Sequence, residues 1–260
     1  MLIATWNVNG VRARQQRLAE WLAERKPDVA CLQELKVTDE EFAHDVLETS
    51  GYKAATHGQA GWNGVAVLAK TQPEIVVRGL PGAAKDAGAR FISVKTNGIE
   101  IASVYVPNGK TVANPDYKLK LAWLDVLAKH VESRADRDAP FVMGGDFNVC
   151  PADIDSWMGA RGKGTIFHTD DERALIGRIR DAGLVDLYRA KYPTEVGFSF
   201  WDYRAGAFHR KLGMRIDMLL CTPVVANRLR DVWVDRDFRK KSKTSGALPS
   251  DHAPLMADLV

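Results

Sequence analysis

Five short stretches of this sequence end an apolar run on a side chain able to hold a metal ion or a phosphate. They are Thr5-Trp6-Asn7-Val8-Asn9-Gly10, Cys31-Leu32-Gln33-Glu34, Val104-Tyr105-Val106-Pro107-Asn108, Gly144-Gly145-Asp146-Phe147-Asn148 and Ser250-Asp251-His252-Ala253-Pro254; a sixth, Arg215-Ile216-Asp217, lies within an apolar run. Singly, each is ordinary: Asn before Gly makes turns and Asp before a loop caps. Jointly they supply a full set of groups for phosphoester hydrolysis. Hard cations bind through one or two carboxylates plus water and substrate phosphate, so Glu34 and Asp251, with amide help from Asn9, suffice for Mg²⁺. Asp146 and Asn148, two apart on one face, can position and deprotonate a water. Asp217 can orient His252, and a phosphate held among His252, Asn7 and Tyr105 would have its developing charge stabilised.

Such groups need a scaffold. The 260 residues, 46% hydrophobic, suffice for one sizeable α/β domain, and the expectation is a single domain over 1–260. Ile3–Val8 and Val29–Gln33 read as strands around an amphipathic helix Ala13–Arg25, and Asp39–Thr49 as a second helix opened by acids. Strands follow at Tyr52–His57, Gly64–Ala69, Glu74–Arg78, Phe91–Thr96 and Ile99–Val106, with a hairpin signal at Asn97-Gly98. Next come a helix Tyr117–Arg134, a strand Phe141–Gly145, a helix Glu172–Ala182, and strands Phe198–Tyr203, Arg215–Cys221, Leu229–Val234 and Leu255–Val260. This inventory suits two sheets packed face to face with helices outside. Arg204–Arg215 and Arg236–Lys243 break the pattern and read as exposed loops.

Composition excludes several classes. No run of about 18 apolar residues occurs, so no membrane span is expected, and Met1 leads into Leu-Ile-Ala-Thr-Trp without a basic leader. Cys31, Cys150 and Cys221 are odd in number and fit no zinc pattern; they read as reduced thiols of a cytoplasmic protein. A net charge of +3 is too small to identify a nucleic-acid binder, so local clusters must carry that reading.

The segments Trp6–Gly10, Leu32–Glu34, Gly64–Val67, Tyr105–Asn108, Gly145–Asn148, Phe200–Arg204, Arg215–Asp217 and Ser250–Pro254 resemble, in order and spacing, the exonuclease III / abasic-site endonuclease family over nearly the whole chain. The last segment and Gly145–Asn148 alone would indicate only the wider endonuclease/exonuclease/phosphatase superfamily. The resemblance implies an α/β four-layer sandwich of two mixed sheets flanked by helices, DNase I-like. It implies Glu34 as the principal Mg²⁺ ligand with Asn9 and Asp251 nearby, and Mn²⁺ as a possible substitute. Asp146 matches the residue that activates water and Asn148 the one that orients it. His252 with Asp217 matches the phosphate-contacting dyad, which some schemes make the base; Asn7 and Tyr105 match holders of the scissile phosphate.

The implied substrate is double-stranded DNA with abasic sites or recessed or blocked 3′ ends, cut to leave a 3′-hydroxyl by a monomeric, bacterial-type, nucleoid-associated repair enzyme. The alternative is a 3′-5′ exonuclease and 3′-phosphatase with little abasic incision; a lipid or RNA phosphodiesterase and an inactive DNA-binding relative are the more distant rivals. A dead relative would be expected to lack one of Glu34, Asp146, Asn148, Asp217 or His252, and all are present.

Arg204, Arg210, Lys211 and Arg215 form an acid-free stretch with Phe208 and His209 interleaved, a device for phosphate contact and stacking. Lys110 is placed to touch backbone. Phe200, Trp201 and Ile216 fall where the family has a pocket for a base-less sugar, and Met214 stands where some relatives have Trp. In Pro151–His168, Gly159, Gly162 and Gly164 suggest mobility, with Arg161, Lys163 and His168 able to approach DNA. Arg239, Lys240, Lys241 and Lys243 make a second basic patch, either DNA-facing or simply solvated.

Overall fold

The computed structural model describes residues 1–134, 136 and 138–260. Strands β1 (Leu2–Asn7) and β2 (Val29–Gln33) pair in parallel across helix α1 (Val11–Arg25). That helix ends at Lys26, in left-handed conformation (φ 51°) immediately before Pro27, whose ring disfavours a further helical residue. After helix α2 (His44–Thr49) come β3 (Lys53–His57) and β4 (Val65–Ala69); β11 (Leu229–Val234) and β12 (Leu255–Leu259) complete the first sheet, in the order β11-β12-β1-β2-β4-β3.

The second sheet contains β5 (Glu74–Arg78), β6 (Phe91–Thr96), β7 (Ile99–Tyr105), β8 (Phe141–Asp146), β9 (Val185–Asp186) and β10 (Asp217–Cys221), in the order β5-β6-β7-β8-β10-β9. Helices α3 (Pro115–Glu132) and α4 (Asp170–Asp181) cover its outer face, and short helices α5 (Leu187–Lys191) and α6 (Pro223–Ala226) flank β10 in sequence.

Three apolar clusters account for the layering. Ile3, Val29, Cys31 and Val67 of the first sheet meet Ile101, Val142 and Leu219 of the second between the sheets. Trp6, Trp21, Leu22 and Leu32 seal α1 onto the first sheet, and Trp123, Leu124, Leu127, Met143 and Ile179 seal α3 and α4 onto the second. Each fully buried Leu, Val or Ile contributes roughly 1.5–3 kcal/mol. The four-layer sandwich of two mixed sheets with flanking helices is as expected. All three cysteines are buried and free. Among the described residues, no helix is long and apolar enough to cross a membrane.

Register levels the functional side chains. Tyr105 stands opposite Asp146 on β7 and β8, and Asp146 opposite Asp217 on β8 and β10, so three adjacent strands deliver them to one height. Behind them Gly144 and Gly145 permit close approach: a Cβ at Gly145 would lie 2.0 Å from the Val104 carbonyl oxygen. Gly145→Ala is therefore expected to destabilise the protein by about 2 kcal/mol or more through forced backbone movement, measured by urea unfolding.

Several expected elements differ. Phe198–Tyr203 is not a strand: Phe200 N–H donates to Met214 O and Trp201 N–H to Asp251 O, so the segment divides its bonds between two chain stretches, with isolated bridges only at Phe200. The second helix begins at His44 and not Asp39, because Asp39 turns the chain, accepting from Gly58 N–H at 2.6 Å. Arg236–Lys243 is not a wholly exposed loop: a 3-10 turn buries Phe238 beneath Arg17, 4.1 Å from its ring centroid. Arg204–Arg215 also turns inward at Ala207 and Arg215. The short β9, α5 and α6 lacked a period long enough to read.

Candidate active site

At one end of the seam between the sheets, β1 and β2 face β7, β8 and β10. Asn7, fully buried at the end of β1, donates from Nδ2 to Glu34 Oε1 (2.8 Å) and to Asp146 Oδ2 (2.9 Å), linking the two sheets. Its Oδ1 accepts from the Asn9 N–H at 2.9 Å. Glu34 follows β2 with a positive φ of 54°, which turns its carboxylate back over the strand ends. Burial would raise its pKa, but Lys36, Asn7 and His252 together bring it below the ordinary carboxylate value.

Asp146 is almost wholly buried. Burial pushes its pKa up; the nearby His252 opposes that rise and Asp217 adds to it. Asn148, at φ 50°, folds its amide back: Nδ2 donates to Val106 O at 2.9 Å and to Asp146 Oδ2 at 3.3 Å. Its N–H bonds Asp146 Oδ1 at 2.9 Å.

His252 Nδ1 lies 2.8 Å from Asp217 Oδ2, and Nε2 lies 3.7 Å from Asp146 Oδ2. Burial alone would keep the imidazole neutral, yet Asp217 and Asp146 raise its pKa well above the usual value. Among the described residues Asp217 Oδ1 has no hydrogen-bond partner, while Oδ2 is held by His252 Nδ1. Tyr105 is buried beside them with Arg90 over its ring at 4.8 Å; burial, then Glu34 and Asp146, keep its phenol protonated by raising its pKa.

One site residue escaped sequence reasoning. Lys36 Nζ reaches Glu34 Oε2 at 2.9 Å and Asn9 Oδ1 at 2.5 Å, while Asn9 Nδ2 reaches Asp251 Oδ1 at 3.0 Å. Its spacing of two residues from Glu34 was the available signal. The Lys36 ammonium thus sits between oxygens of Glu34 and Asn9, and the Asn9 amide joins them to Asp251; carboxylate and amide oxygens are the donor type that hard divalent cations take. Asp146, Asp217 and His252 form a tighter group, with possible ligand atoms all within 4.8 Å. The imidazole makes that group less suited to Mg²⁺, and its Nδ1 is already engaged with Asp217.

The expected DNA-contacting residues divide. Phe200 packs on His252 with ring centroids 4.9 Å apart and bridges to Met214, so these two half-buried side chains border the site. Lys110, Arg204, Arg210 and Lys211 are exposed, with Lys110 paired to Asp116 and Arg204 to Asp202. Trp201 and Ile216 are buried, each 1% exposed, so they form backing and not contact surface; Trp201 instead packs edge-on against the half-buried Phe208 at 5.0 Å.

Three further cations or rings leave the expected surface. Arg215 is buried between Asp155 (2.6 Å) and Asp186 (2.9 Å), and Arg189 on Asp155 (2.5 Å) brings the two carboxylates a second guanidinium, so four charges compensate one another. His168 is buried, its Nδ1 on Ile166 O at 2.8 Å, because Gly162 leaves room for the ring. Arg239 turns inward to the carbonyls of Trp201 and Asp251, leaving the second patch to its neighbours.

Two facing mixed sheets whose strand ends converge on a carboxylate–amide–histidine cluster define the endonuclease/exonuclease/phosphatase class of fold and site. A model of the Endonuclease/Exonuclease/phosphatase family matches residues 4–252, and the chain belongs to that family. It is 34% identical to exodeoxyribonuclease III of Haemophilus influenzae, across 99% of both chains. Among solved structures it is similar to a 3′-5′ exonuclease (NExo) from Neisseria meningitidis, with TM-score 0.94 and 35% identity over 100% of this chain and 99% of that one. An AP endonuclease from Archaeoglobus fulgidus gives TM-score 0.94 and 37% identity, again over 100% of this chain and 99% of that one.

Proposed function

We propose that this protein is a Mg²⁺-dependent DNA-repair phosphodiesterase of the exonuclease III type, acting through one catalytic domain. It hydrolyses the phosphodiester 5′ to an abasic site, removes nucleotides or blocking groups from 3′ ends, or does both, and leaves a 3′-hydroxyl. The observation that carries this reading is the Asn7 amide, whose Nδ2 donates to Glu34 Oε1 at 2.8 Å and to Asp146 Oδ2 at 2.9 Å, which supports pairing Glu34 as a cation-binding group with Asp146 as a water-activating group.

In the proposed reaction the substrate phosphate lies among Asn7, Tyr105 and His252. Asp146, whose burial favours taking up a proton, accepts one from a water that Asn148 orients. The water oxygen bonds to phosphorus as the P–O3′ bond breaks, and the departing 3′-oxygen takes a proton from solvent and ends as a hydroxyl. His252, held charged by Asp217, faces the negative charge that develops on the nonbridging oxygens. Glu34, Asn9 and Asp251 would hold Mg²⁺, which supplies Lewis-acid stabilisation of the same charge. The exposed Lys110, Arg204, Arg210 and Lys211 meet the DNA backbone, without base-specific readout. Phe200 and Met214 border the reacting nucleotide.

The relatives named an AP endonuclease and a 3′-5′ exonuclease support both halves of this reading. The deciding assay offers labelled duplexes, one with an internal abasic analogue and one with a recessed 3′ end, in Mg²⁺ and in EDTA. Mg²⁺-dependent product from at least one duplex is expected. Incision identifies the abasic endonuclease, and shortening alone the end-trimming enzyme. No product from either overturns the proposal.

A further inference from the structure

Lys120 of α3 and Glu172 of α4 form an ion pair in which neither side chain is exposed. A buried pair is weak evidence for stability, since apolar residues of similar volume often serve as well. What apolar residues could not supply is the direction of the remaining ammonium N–H groups. They donate to the main-chain carbonyls of Asn148 (2.6 Å) and Asn108 (3.3 Å), in the loops that leave the adjacent parallel strands β8 and β7.

Those loops need an outside tie. Asn148 and Lys110 both hold positive φ, 50° and 58°, conformations that cost non-glycine residues free energy. Between the loops, Asn108 Nδ2 reaches Asn148 Oδ1 at 3.3 Å, while the Asn148 amide bonds Val106 O and Asp146. The anchor is itself tied down by hydrogen bonds. Glu172 Oε1 accepts the Phe167 N–H at 3.1 Å, and Oε2 accepts the Thr169 N–H at 3.0 Å and its hydroxyl at 2.9 Å. Tyr117 of α3 closes the ring by donating to Thr169 Oγ1 at 2.8 Å.

We propose that Lys120 is a positioning residue for hydrolysis, acting through the carbonyls of Asn148 and Asn108 to hold the Asn148 amide against Asp146 in the orientation that directs the attacking water. Glu172 supplies the counter-charge that lets an ammonium be buried there. The inference rests on the reading of Asp146 and Asn148 as the water-activating pair.

The test uses the paired variant Lys120→Met/Glu172→Leu, because removing one partner would strand a buried charge. The midpoint of unfolding should fall, because Glu172 also accepts from the Phe167 and Thr169 N–H groups, but the variant should be folded at the assay temperature and keep near-wild-type DNA affinity in EDTA. Turnover should fall by about 10- to 100-fold with KM little changed, the scale of loss that an ångström of misplacement produces. Amide hydrogen exchange should quicken in the peptide spanning Asp146–Cys150 and stay unchanged in β6. Lys120→Arg, which retains the charge but not the compact three-way donor geometry, should fold and also lose turnover. Full turnover with unchanged exchange in either folded variant would make Lys120 a core filler and overturn the proposal. Wild type inactive on every DNA would defeat the nuclease reading, while the exchange rates would still decide whether Lys120 holds the loop.

Discussion

Asp146→Asn should lower the rate of DNA cleavage by about a thousandfold, within the 10²–10⁴ range of a lost general base, while DNA binding persists. The geometry explains why so small a change costs so much. The carboxylate accepts from Asn7 on Oδ2 and from the Asn148 N–H on Oδ1. An amide can keep only one of those bonds and presents a donor to the other, and it has no pair of electrons available for the water proton. His252 also loses one of the nearby carboxylates that keep it charged. The fold should tolerate the change, since burial of the Asp146 charge is itself unfavourable. Steady-state cleavage beside an unfolding midpoint separates the possibilities. A variant within tenfold of wild type would move the base to another group, His252 being the candidate in reach at 3.7 Å.

Glu34→Ala should raise the Mg²⁺ concentration for half-maximal cleavage by at least about 10- to 100-fold, the range found when even the supporting partners of metal ligands are removed. Glu34 is one of two carboxylates in the oxygen set and anchors both Lys36 and the Asn7 amide. Its loss therefore leaves Lys36 near Asn9 without its counter-ion, adding repulsion to the missing ligand. Mg²⁺ titration of cleavage and calorimetric Mg²⁺ binding should shift together. An unchanged titration would assign the cation to the Asp146–Asp217–His252 group instead.

The parts of this site legible in the sequence were those whose chemistry is local. Asn7, Glu34, Asp146 and His252 each interrupt or end an apolar run, and strand ends on one edge of a sandwich converge, so type and position together were informative. The start of α4 was missed by two residues: the box that Thr169 makes with Glu172 begins the helix at Asp170, ahead of the expected Glu172. Buried cations were not legible. Lys120 and Arg215 look like surface residues until Glu172, 52 positions away, and Asp155, 60 away, arrive beside them. Phe198–Tyr203 has a strand's composition, yet strandedness depends on where its hydrogen bonds go, and they go to Met214 and Asp251.

The Asn7 bridge also governs when the site exists at all. Asn7, Glu34, Asp251 and His252 belong to the first sheet or its adjoining segments, and Tyr105, Asp146, Asn148 and Asp217 to the second. Neither sheet holds both the oxygens proposed to bind the cation and the pair proposed to activate water. A chain that ends before residue 252 has Glu34 and Asp146 but no His252 imidazole, and it lacks β12, which lies between β1 and β11. On the proposed reading, topology alone keeps the two halves of the site apart until both sheets are built, a safeguard suited to an enzyme whose substrate would be the cell's own DNA.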